Sequence, residues 1–405
     1  MSEPERMNLT SGSPFWMVKN GIRPPRPTLD GAERCDVAVI GAGVTGALVA
    51  DALTTAGLDV VVVDRRESGG GSTAASTALL QYEIDLELTA LSKVVGAAHA
   101  ERAYRASLDA VHALGRLATE LGGCDFARRP SLYLASTRRD AQRLEREAAA
   151  RASIGIEASW WTRADVDATY GFPGFGAVRS VDAAEVDALA LTRALLDRAA
   201  ARGARWFEQT DVCAADSQGG RIHLRTRDGA TIDARHAICA VGYDLPAFVR
   251  QDRVALHSTY ALATHRLPDL GTWDDRCLVW ESARPYTYMR STADNRVIIG
   301  GEDVGFRDAA WRDRLLPGRT RKLEQQLRRL LPSLRTETAF EWAGTFAETP
   351  DGLPYIGADE RYPGILFALG YGGNGITFSA IAAAILTATC TGETHPDADL
   401  FRMDR

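Results

Sequence analysis

The chain has 405 residues, of which 45% are hydrophobic and 25% charged; this composition is typical of a globular protein, and the length fits two domains better than one. The net charge of −6 argues against a nucleic-acid partner, because phosphate binding needs a basic surface. The six cysteines form no CxxC pair, which indicates reduced thiols in a cytoplasmic protein and no structural metal site.

The two ends of the chain show no sign of targeting or membrane insertion. Residues 1–30 are polar, contain several prolines and have no apolar stretch behind a basic one, so we expect an arm that packs over the body or stays loose. Near the other end, residues 376–389 are apolar but fall short of the roughly 18 residues that a membrane span needs. We interpret them as a buried helix and expect no membrane span.

The first predicted elements form a strand, a turn, a helix and a second strand. Asp36–Ile40 is a short apolar run, and residues 44–56 have helical spacing up to Gly57. Asp59–Val63 is a β-branched run that leads into Asp64. This order opens a doubly wound parallel sheet and predicts an α/β fold.

Further elements follow along the chain. Helical spacing is found over residues 85–122, 138–152, 189–202 and 308–331. Strand patterns are found over residues 131–135, in a hairpin over residues 220–241 with its turn at Asp228-Gly229, and several times within residues 255–304. The chain contains no internal repeat.

The turn between the first strand and the first helix carries a dinucleotide-binding motif, Gly-Ala-Gly-Val-Thr-Gly. Gly41 permits the tight turn, Gly43 lets the backbone approach a pyrophosphate, and Gly46 lets the helix pack on the strand. The pyrophosphate would then lie at the positive end of the helix dipole, beside Val44 and Thr45.

An acidic residue supports this interpretation. Asp64 ends the second strand, where a carboxylate accepts hydrogen bonds from the ribose hydroxyls. Arg65 or Arg66, directly after it, can face the 2′-phosphate of NADP or the adenine of FAD. The motif by itself therefore leaves FAD, NAD and NADP open.

Four more segments complete a family pattern. They are Gly69-Gly70-Gly71-Ser72-Thr73, the helical residues 182–203, the strand end Ala240-Val241-Gly242, and a C-terminal segment that joins Trp342-Ala343-Gly344-Thr345, residues 350–357 (PDGLPYIG) and residues 370–377 (GYGGNGIT). With these segments the chain from Asp36 to Phe401 resembles the FAD-dependent amine and amino-acid oxidoreductases, which include D-amino-acid oxidase and dehydrogenase, glycine oxidase and sarcosine oxidase.

The resemblance implies FAD rather than NAD(P). In the family the second glycine-rich loop opens a helix whose N-terminus points at the pyrimidine end of the flavin and stabilises negative charge there. A plain helix start capped by Asn374 is the alternative. Some relatives attach the flavin through a Cys before the PDGLPYIG segment or a His near residues 69–73, and this chain has neither. We therefore expect non-covalent FAD.

The resemblance also assigns cofactor-binding residues. They are Gly41, Gly43, Val44, Thr45, Gly46, Asp64, Arg65, Arg66, Gly71, Ser72, Thr73, Leu79, Val212 (through its backbone, to adenine), Ala240, Gly242, Gly344, Gly372, Gly373, Asn374, Gly375, Ile376 and Thr377.

The family reaction is hydride transfer from the carbon next to nitrogen to the flavin N5, which gives an imine that water hydrolyses. Relatives hold a substrate carboxylate with an Arg or a Lys. At the matching positions this chain has Phe346, Gly373 and Thr377. The departure keeps an amine substrate and weakens the case for a simple α-amino acid.

The candidate residues for the substrate side are Tyr286, Tyr288, Arg290 and Gln81. Arg290 could meet a carboxylate, and either tyrosine could cover the flavin ring; ordinary strand residues are the alternative for the tyrosines.

Nearby acidic residues and two histidines allow a second interpretation. Glu83 or Asp85 could attract a cationic amine, but we interpret them first as an exposed acidic start of a helix. His257 and His265 lie in the region predicted for the substrate domain, and we interpret both as structural.

The expected fold is thus a Rossmann-like FAD-binding domain over residues 31–126, 177–250 and 338–405, with a discontinuous β-rich substrate domain over residues 127–176 and 251–337. We expect an oxidoreductase with a small-molecule amine substrate and with O2 or another electron acceptor. Two alternatives stay open. One is a catalytically silent FAD-binding subunit, and the other is an NAD(P)-dependent dehydrogenase.

Overall fold

The computed structural model describes residues 7–250 and 252–405. The first six residues of the predicted arm, and Gln251 at a predicted domain boundary, lie outside the described residues. The described helices are α1 (Phe15–Asn20), α2 (Val44–Thr55), α3 (Ser72–Ala75), α4 (Leu88–Val95), α5 (Ala97–Leu121), α6 (Arg138–Ser153), α7 (Arg163–Thr169), α8 (Ala188–Ala201), α9 (Ala309–Leu330) and α10 (Gly375–Thr391), with 3-10 turns at Gly372–Asn374 and Ala398–Phe401.

The strands form two sheets. They are β1 (Thr10–Gly12), β2 (Ala32–Ile40), β3 (Val60–Val63), β4 (Leu79–Leu80), β5 (Ala127–Leu134), β6 (Ala158–Trp161), β7 (Ala177–Glu185), β8 (Arg205–Phe207), β9 (Val212–Gln218), β10 (Arg221–Thr226), β11 (Thr231–Cys239), β12 (Ala255–Thr264), β13 (Leu278–Glu281), β14 (Thr287–Ser291), β15 (Val297–Gly305), β16 (Thr338–Glu348), β17 (Tyr355–Ala358) and β18 (Ile365–Leu369).

The smaller sheet has the order β17-β18-β11-β2-β3-β8, and the pairs from β18 to β8 are parallel. Along β3, Val60 and Val62 pack into one hydrophobic core, and Val61 and Val63 pack into another on the opposite face. A parallel strand that is covered on both faces has no place for polar residues. The predicted strand–helix–strand unit and the α/β fold class are therefore confirmed.

The larger sheet has the order β1-β16-β12-β15-β14-β13-β5-β7-β4, with β6 beside β7. It contains β7, which pairs with β5, and β16, which pairs with β12. Strands on both sides of the predicted domain boundaries at residues 177 and 338 therefore share one sheet, and the division into domains stays a prediction. Motif order cannot show this, because strand pairing joins segments that are distant in sequence.

The described part of the N-terminal arm packs on the body. Its strand β1 pairs with β16, and α1 buries Phe15 and Trp16. The indole Nε1 of Trp16 donates a hydrogen bond to the carbonyl oxygen of Ser76 at 2.6 Å. The first of the two expectations for the arm is therefore met from residue 7 onward.

The apolar helix near the C-terminus belongs to the core. Gly372–Thr391 is long and apolar enough to cross a membrane by length and composition. However, most of its residues are buried inside the protein, where Ile381, Ile385 and Leu386 join the same core as α2. This burial is what the interpretation as a core helix predicts.

Candidate active site

A deep cleft lies between the two sheets. It encloses about 1650 Å³ when the space at its open mouth is included. One end is formed by the chain that leaves β2 and β11, and the other end by β12, β14, β15 and β16. A ligand at the carboxyl ends of parallel strands is the usual arrangement in an open α/β sheet.

The glycine turn after β2 leaves no room for side chains. Gly41 has a φ of +110°, and a Cβ added there would lie 2.4 Å from the carbonyl oxygen of Ala240. A Cβ at Gly46 would lie 1.8 Å from the carbonyl oxygen of Gly41. Helix α2 therefore packs directly on its own turn, and backbone rather than side chain faces the cleft.

Asp64 is fixed beside this turn. One of its carboxylate oxygens accepts a hydrogen bond from the N–H of Ala42, and the other accepts one from the N–H of Arg66, each at 2.7 Å. Burial raises the pKa of Asp64, although these two N–H groups act in the opposite direction. The carboxylate thus lies at the edge of the cleft, where the sequence places the ribose partner.

The two arginines after Asp64 form ion pairs with another acid. The guanidinium groups of Arg65 and Arg66 both pair with Asp244. Arg66 also donates a hydrogen bond to the carbonyl oxygen of Met7 at 2.6 Å and lines the cleft. It thereby ties the arm to this end of the site.

The second glycine-rich loop approaches the same cleft from the opposite side. The N–H of Gly373 donates a hydrogen bond to Asp85 at 2.9 Å, and the side-chain amide of Asn374 donates to the carbonyl oxygen of Glu83. Asn374 stands at the N-cap position of α10, but its side chain makes no capping hydrogen bond to the helix. The hydroxyl of Thr377 donates to the carbonyl oxygen of Gln81 at 2.9 Å. Residues 81–85 therefore cross the N-terminus of α10.

Most of the residues predicted to bind the cofactor line this one cleft. They are Gly41, Gly43, Val44, Thr45, Asp64, Arg66, Gly71, Ser72, Thr73, Leu79, Ala240, Gly242, Gly344, Gly372, Gly373, Asn374, Gly375 and Ile376. Four predicted residues do not line the cleft: Gly46, Arg65, Val212 and Thr377. Gly46 has the packing role predicted for it, Thr377 holds the backbone of residue 81, and Val212 is buried at the start of β9. The contact of Val212 with adenine stays a prediction.

These features fit a bound FAD. The N-termini of two helices, α2 and α10, open onto one cleft, which suits an elongated ligand with negative charge at separate points. Gln81 is 9% exposed and lines the cleft. Its side-chain Nε2 has no hydrogen-bond partner among the described residues. A polar ligand atom would satisfy it.

Two tyrosines form one wall of the substrate end. Tyr286 and Tyr288 line the cleft with ring centroids 5.6 Å apart. The hydroxyl of Tyr288 lies 3.3 Å from the hydroxyl of Thr259. Burial raises the pKa of both tyrosine hydroxyls well above its usual range, so both stay protonated.

Arg290 does not reach the cleft, and the prediction that it meets a substrate carboxylate is wrong. Its side chain is 1% exposed and donates hydrogen bonds to the carbonyl oxygens of Ala78 and Val186, at 2.9 and 2.8 Å. Its guanidinium also lies 3.4 Å from the carboxylate of Glu185. The arginine joins β14 to the segment before β4, because buried carbonyl oxygens and a carboxylate there need a donor.

Asp303 is a site residue that sequence reasoning missed. It lies on β15 and lines the cleft, where its Oδ1 is buried without a hydrogen-bond partner among the described residues. Burial raises its pKa to about 7; Thr259 and Arg284 lower it, whereas Glu348 and Asp85 raise it. Glu302 precedes Asp303 on the same strand, so the sequence does not show which of the two acids faces the cleft.

Glu83 and Asp85 are not the exposed helix start that we expected. Helix α4 begins only at Leu88, and Glu83 is 4% exposed. Its Oε1 accepts a hydrogen bond from Ser131 at 2.5 Å and lies 3.6 Å from the guanidinium of Arg151. Both acids line the cleft, and burial raises the pKa of each.

The two histidines lie outside the cleft lining among the described residues. His257 lies 3.3 Å from Glu348 and stacks on Phe346 with a centroid distance of 5.4 Å. His265 is exposed beyond the end of β12. Neither faces the cleft directly, in line with the structural interpretation.

Comparison with known proteins identifies the family to which the chain is similar. A family model described as FAD dependent oxidoreductase matches residues 36–389. Glycine oxidase of Bacillus licheniformis is 27% identical over 90% of this chain and 93% of its own. Gamma-glutamylputrescine oxidoreductase of Escherichia coli (strain K12) is 24% identical over 92% of this chain and 87% of its own. The crystal structure of glycine oxidase from Geobacillus kaustophilus superposes with a TM-score of 0.77 at 23% identity, over 90% of this chain and 96% of that one.

Proposed function

The chain belongs to the family of FAD dependent oxidoreductases, and we propose that it oxidises the C–N bond of an amine or amino-acid-like substrate with non-covalently bound FAD. The observation that carries the proposal is the convergence of two glycine-rich helix starts, at Gly43 and Gly375, on one cleft that also contains Tyr286 and Tyr288. Family membership does not favour the two alternatives, the silent FAD-binding subunit and the NAD(P)-dependent dehydrogenase.

The chemistry divides between cofactor and protein. When bound, FAD accepts a hydride from the carbon next to nitrogen. Water then hydrolyses the imine to a carbonyl compound and an amine or ammonia, and O2 or another acceptor takes up the two electrons. The protein has to place the substrate and keep the reacting nitrogen neutral. The neutral hydroxyls of Tyr286 and Tyr288 and the free amide N–H groups of Gln81 suit such positioning.

Non-covalent binding is supported by the lining of the cleft. No cysteine or histidine is found among the cleft-lining residues that the structure describes, so the usual nucleophiles for attachment are missing there. All six cysteines are unpaired, which also supports the cytoplasmic location that we propose. Denaturation in acid should release the yellow cofactor into the supernatant. Yellow colour that stays with the precipitated protein would contradict this part of the proposal.

Flavin reduction tests the oxidoreductase activity. Primary amines, secondary amines, N-methyl amino acids and D-amino acids are added without oxygen to the purified holoprotein, and loss of the oxidised flavin absorbance is followed. We expect at least one class to bleach the flavin. If dithionite reduces the flavin but every class fails, the proposal is wrong and a silent FAD-binding subunit becomes the better explanation.

A further inference from the structure

A carboxylate lies against the second glycine-rich loop. The carboxylate of Asp85 accepts a hydrogen bond from the N–H of Gly373 at 2.9 Å. A Cβ at Gly373 would lie 2.8 Å from one carboxylate oxygen of Asp85, and a Cβ at Gly372 would lie 2.4 Å from the other. At Gly372 and Gly373 the carboxylate of Asp85 therefore occupies the space that a side chain would need.

Two more acids face the same part of the cleft with unused oxygens. Oδ1 of Asp303 and Oε2 of Glu83 are both buried and lack a hydrogen-bond partner among the described residues. Glu83 is 4% exposed, and both residues line the cleft. A buried carboxylate oxygen without a partner is costly unless a ligand supplies a donor. These oxygens therefore point to a cationic ligand group.

Aromatic side chains surround these acids. Tyr286, Tyr288, Trp280 and Phe346 all line the cleft, and the Trp280 ring is held by stacking on Tyr133 with centroids 3.5 Å apart. Aromatic faces attract ammonium groups. Aromatic rings together with carboxylates therefore form a suitable environment for an alkylammonium ion.

Positive charge is placed elsewhere. At this end the cationic side chain among the described lining residues is Arg284, which is exposed at the mouth with its guanidinium 4.6 Å from the ring centroid of Tyr286. Arg290, the candidate for binding a carboxylate, is held away from the cleft. Glu83 has a buried cation beside it, since its Oε1 lies 3.6 Å from the guanidinium of Arg151, whereas Oδ1 of Asp303 has no partner among the described residues.

The nitrogen that is oxidised is not the natural partner of these acids. Hydride transfer requires a neutral amine, and a carboxylate in contact with that nitrogen would stabilise its protonated form. The acids instead suit a second nitrogen that stays charged throughout the reaction.

We propose that the substrate is an amine with a second cationic group and no α-carboxylate, such as an α,ω-diamine, and that Asp85 and Asp303 bind the cationic nitrogen that is not oxidised. This inference rests on the proposed function, since it names the substrate class of the same site.

Three probes of similar length test the proposal by calorimetry on the holoprotein: putrescine, butylamine and γ-aminobutyrate. Putrescine should bind about tenfold tighter than butylamine or more, because a buried charge-assisted hydrogen bond is gained. γ-Aminobutyrate should bind most weakly, because its carboxylate meets the acids. Equal affinities, a preference for γ-aminobutyrate, or no binding by any probe would overturn the proposal.

Variants locate the effect. D303N and D85N should each bring the affinities for putrescine and butylamine within about twofold of one another while keeping the FAD content, since an Asn oxygen can still accept the N–H of Gly373. D109N, at an exposed acid on α5, is the matched control and should keep the full preference. A preference unchanged in both D303N and D85N would overturn the assignment of these residues.

The binding measurement separates this inference from the proposed function. If putrescine binds with the expected preference but no amine reduces the flavin, the oxidoreductase proposal fails and the charge assignment stands. If amines reduce the flavin but the probes bind equally, the present inference fails alone.

Discussion

At the end of the cleft near Gly41 the glycine turn presents backbone to the cleft, beside the side chains of Asp64 and Arg66, whereas near Asp303 the wall is made of side chains. Around Gly41 and Gly46 the space for a Cβ is taken by the carbonyl oxygens of Ala240 and Gly41. Around Asp303 the wall consists of tyrosine rings, a tryptophan ring and carboxylates. The first arrangement suits a pyrophosphate, which has the same shape in every dinucleotide, and the second can vary with the substrate.

The difference has an energetic side. A backbone carbonyl cannot move away from a new methyl group without opening the turn, so Gly41 and Gly46 should tolerate almost no substitution. A side-chain wall can change its charge while the fold stays intact. The substrate end should therefore respond to substitution mainly in affinity and specificity.

The largest effect is expected at the cofactor end. In G46A the new Cβ would lie 1.8 Å from the carbonyl oxygen of Gly41, which is much closer than any real contact. We expect a loss of about 3 kcal/mol or more in the free energy of unfolding and a colourless purified protein. Flavin absorbance per protein and chemical denaturation measure both effects.

A second glycine in a helix provides the control. Gly318 lies within α9, and a Cβ there would have no neighbour within 4 Å. G318A should keep its FAD and gain about 0.5–1 kcal/mol, because Gly is costly within a helix. A yellow, fully stable G46A protein would break the comparison between the two ends.

The next effect concerns Arg290, which the structure places outside both ends. R290M would leave Glu185 and the carbonyl oxygens of Ala78 and Val186 without this donor. The protein should lose about 3 kcal/mol in the free energy of unfolding. R290K, which keeps the charge, should lose less, and its affinity for the substrate should stay the same.

Denaturant titration measures these losses, and R128M is the matched control. Arg128 is an exposed residue on β5, so its replacement should change stability by less than about 0.5 kcal/mol. If R290K has normal stability but no longer binds substrate, the structural role is contradicted and Arg290 belongs to the substrate site.

The smallest effect is a pH dependence that sharpens the description of the substrate end. The pKa of Asp303 is raised to about 7, so its carboxylate fraction rises from about one tenth at pH 6 to about nine tenths at pH 8. Diamines stay charged in this range, as Lys does. The affinity for putrescine should therefore rise about tenfold from pH 6 to pH 8.

The charged neighbours of Asp303 define the control. Glu348 and Asp85 raise its pKa, and Arg284 lowers it. In D303N most of the rise in affinity should disappear. Any slope that remains would come from Asp85, whose pKa burial also raises. An affinity for putrescine that falls as pH rises in the unchanged protein would contradict the role of Asp303.

Much of the fold could be predicted from local patterns. The strand over Asp36–Ile40, the glycine turn and the β-branched Asp59–Val63 each depend on neighbours within a few residues, and all three are found in the smaller sheet. The domain boundaries at residues 177 and 338 could not be predicted in this way. They depend on the pairing of β7 with β5 and of β16 with β12.

The site shows the same division. The glycines of both loops, Tyr286, Tyr288 and Gln81 could be found in the sequence because they lie in or beside segments with a recognisable pattern, and the structure places them around one cleft. Asp303 was missed because nothing in its own strand shows that it faces the cleft. Arg290 was misplaced because the carbonyl oxygens of Ala78 and Val186, which hold its guanidinium, lie more than a hundred residues away in the sequence.

The sequence by itself thus determined the α/β fold, the dinucleotide turn and the family, since a turn that requires glycine is a local property of the backbone. Only the tertiary structure decided the charge of the substrate end. Whether Arg290, Asp85 and Asp303 face a ligand or the protein depends on which distant segments pack beside them. That packing removes Arg290 from the cleft and leaves a carboxylate oxygen of Asp303 there without a partner among the described residues.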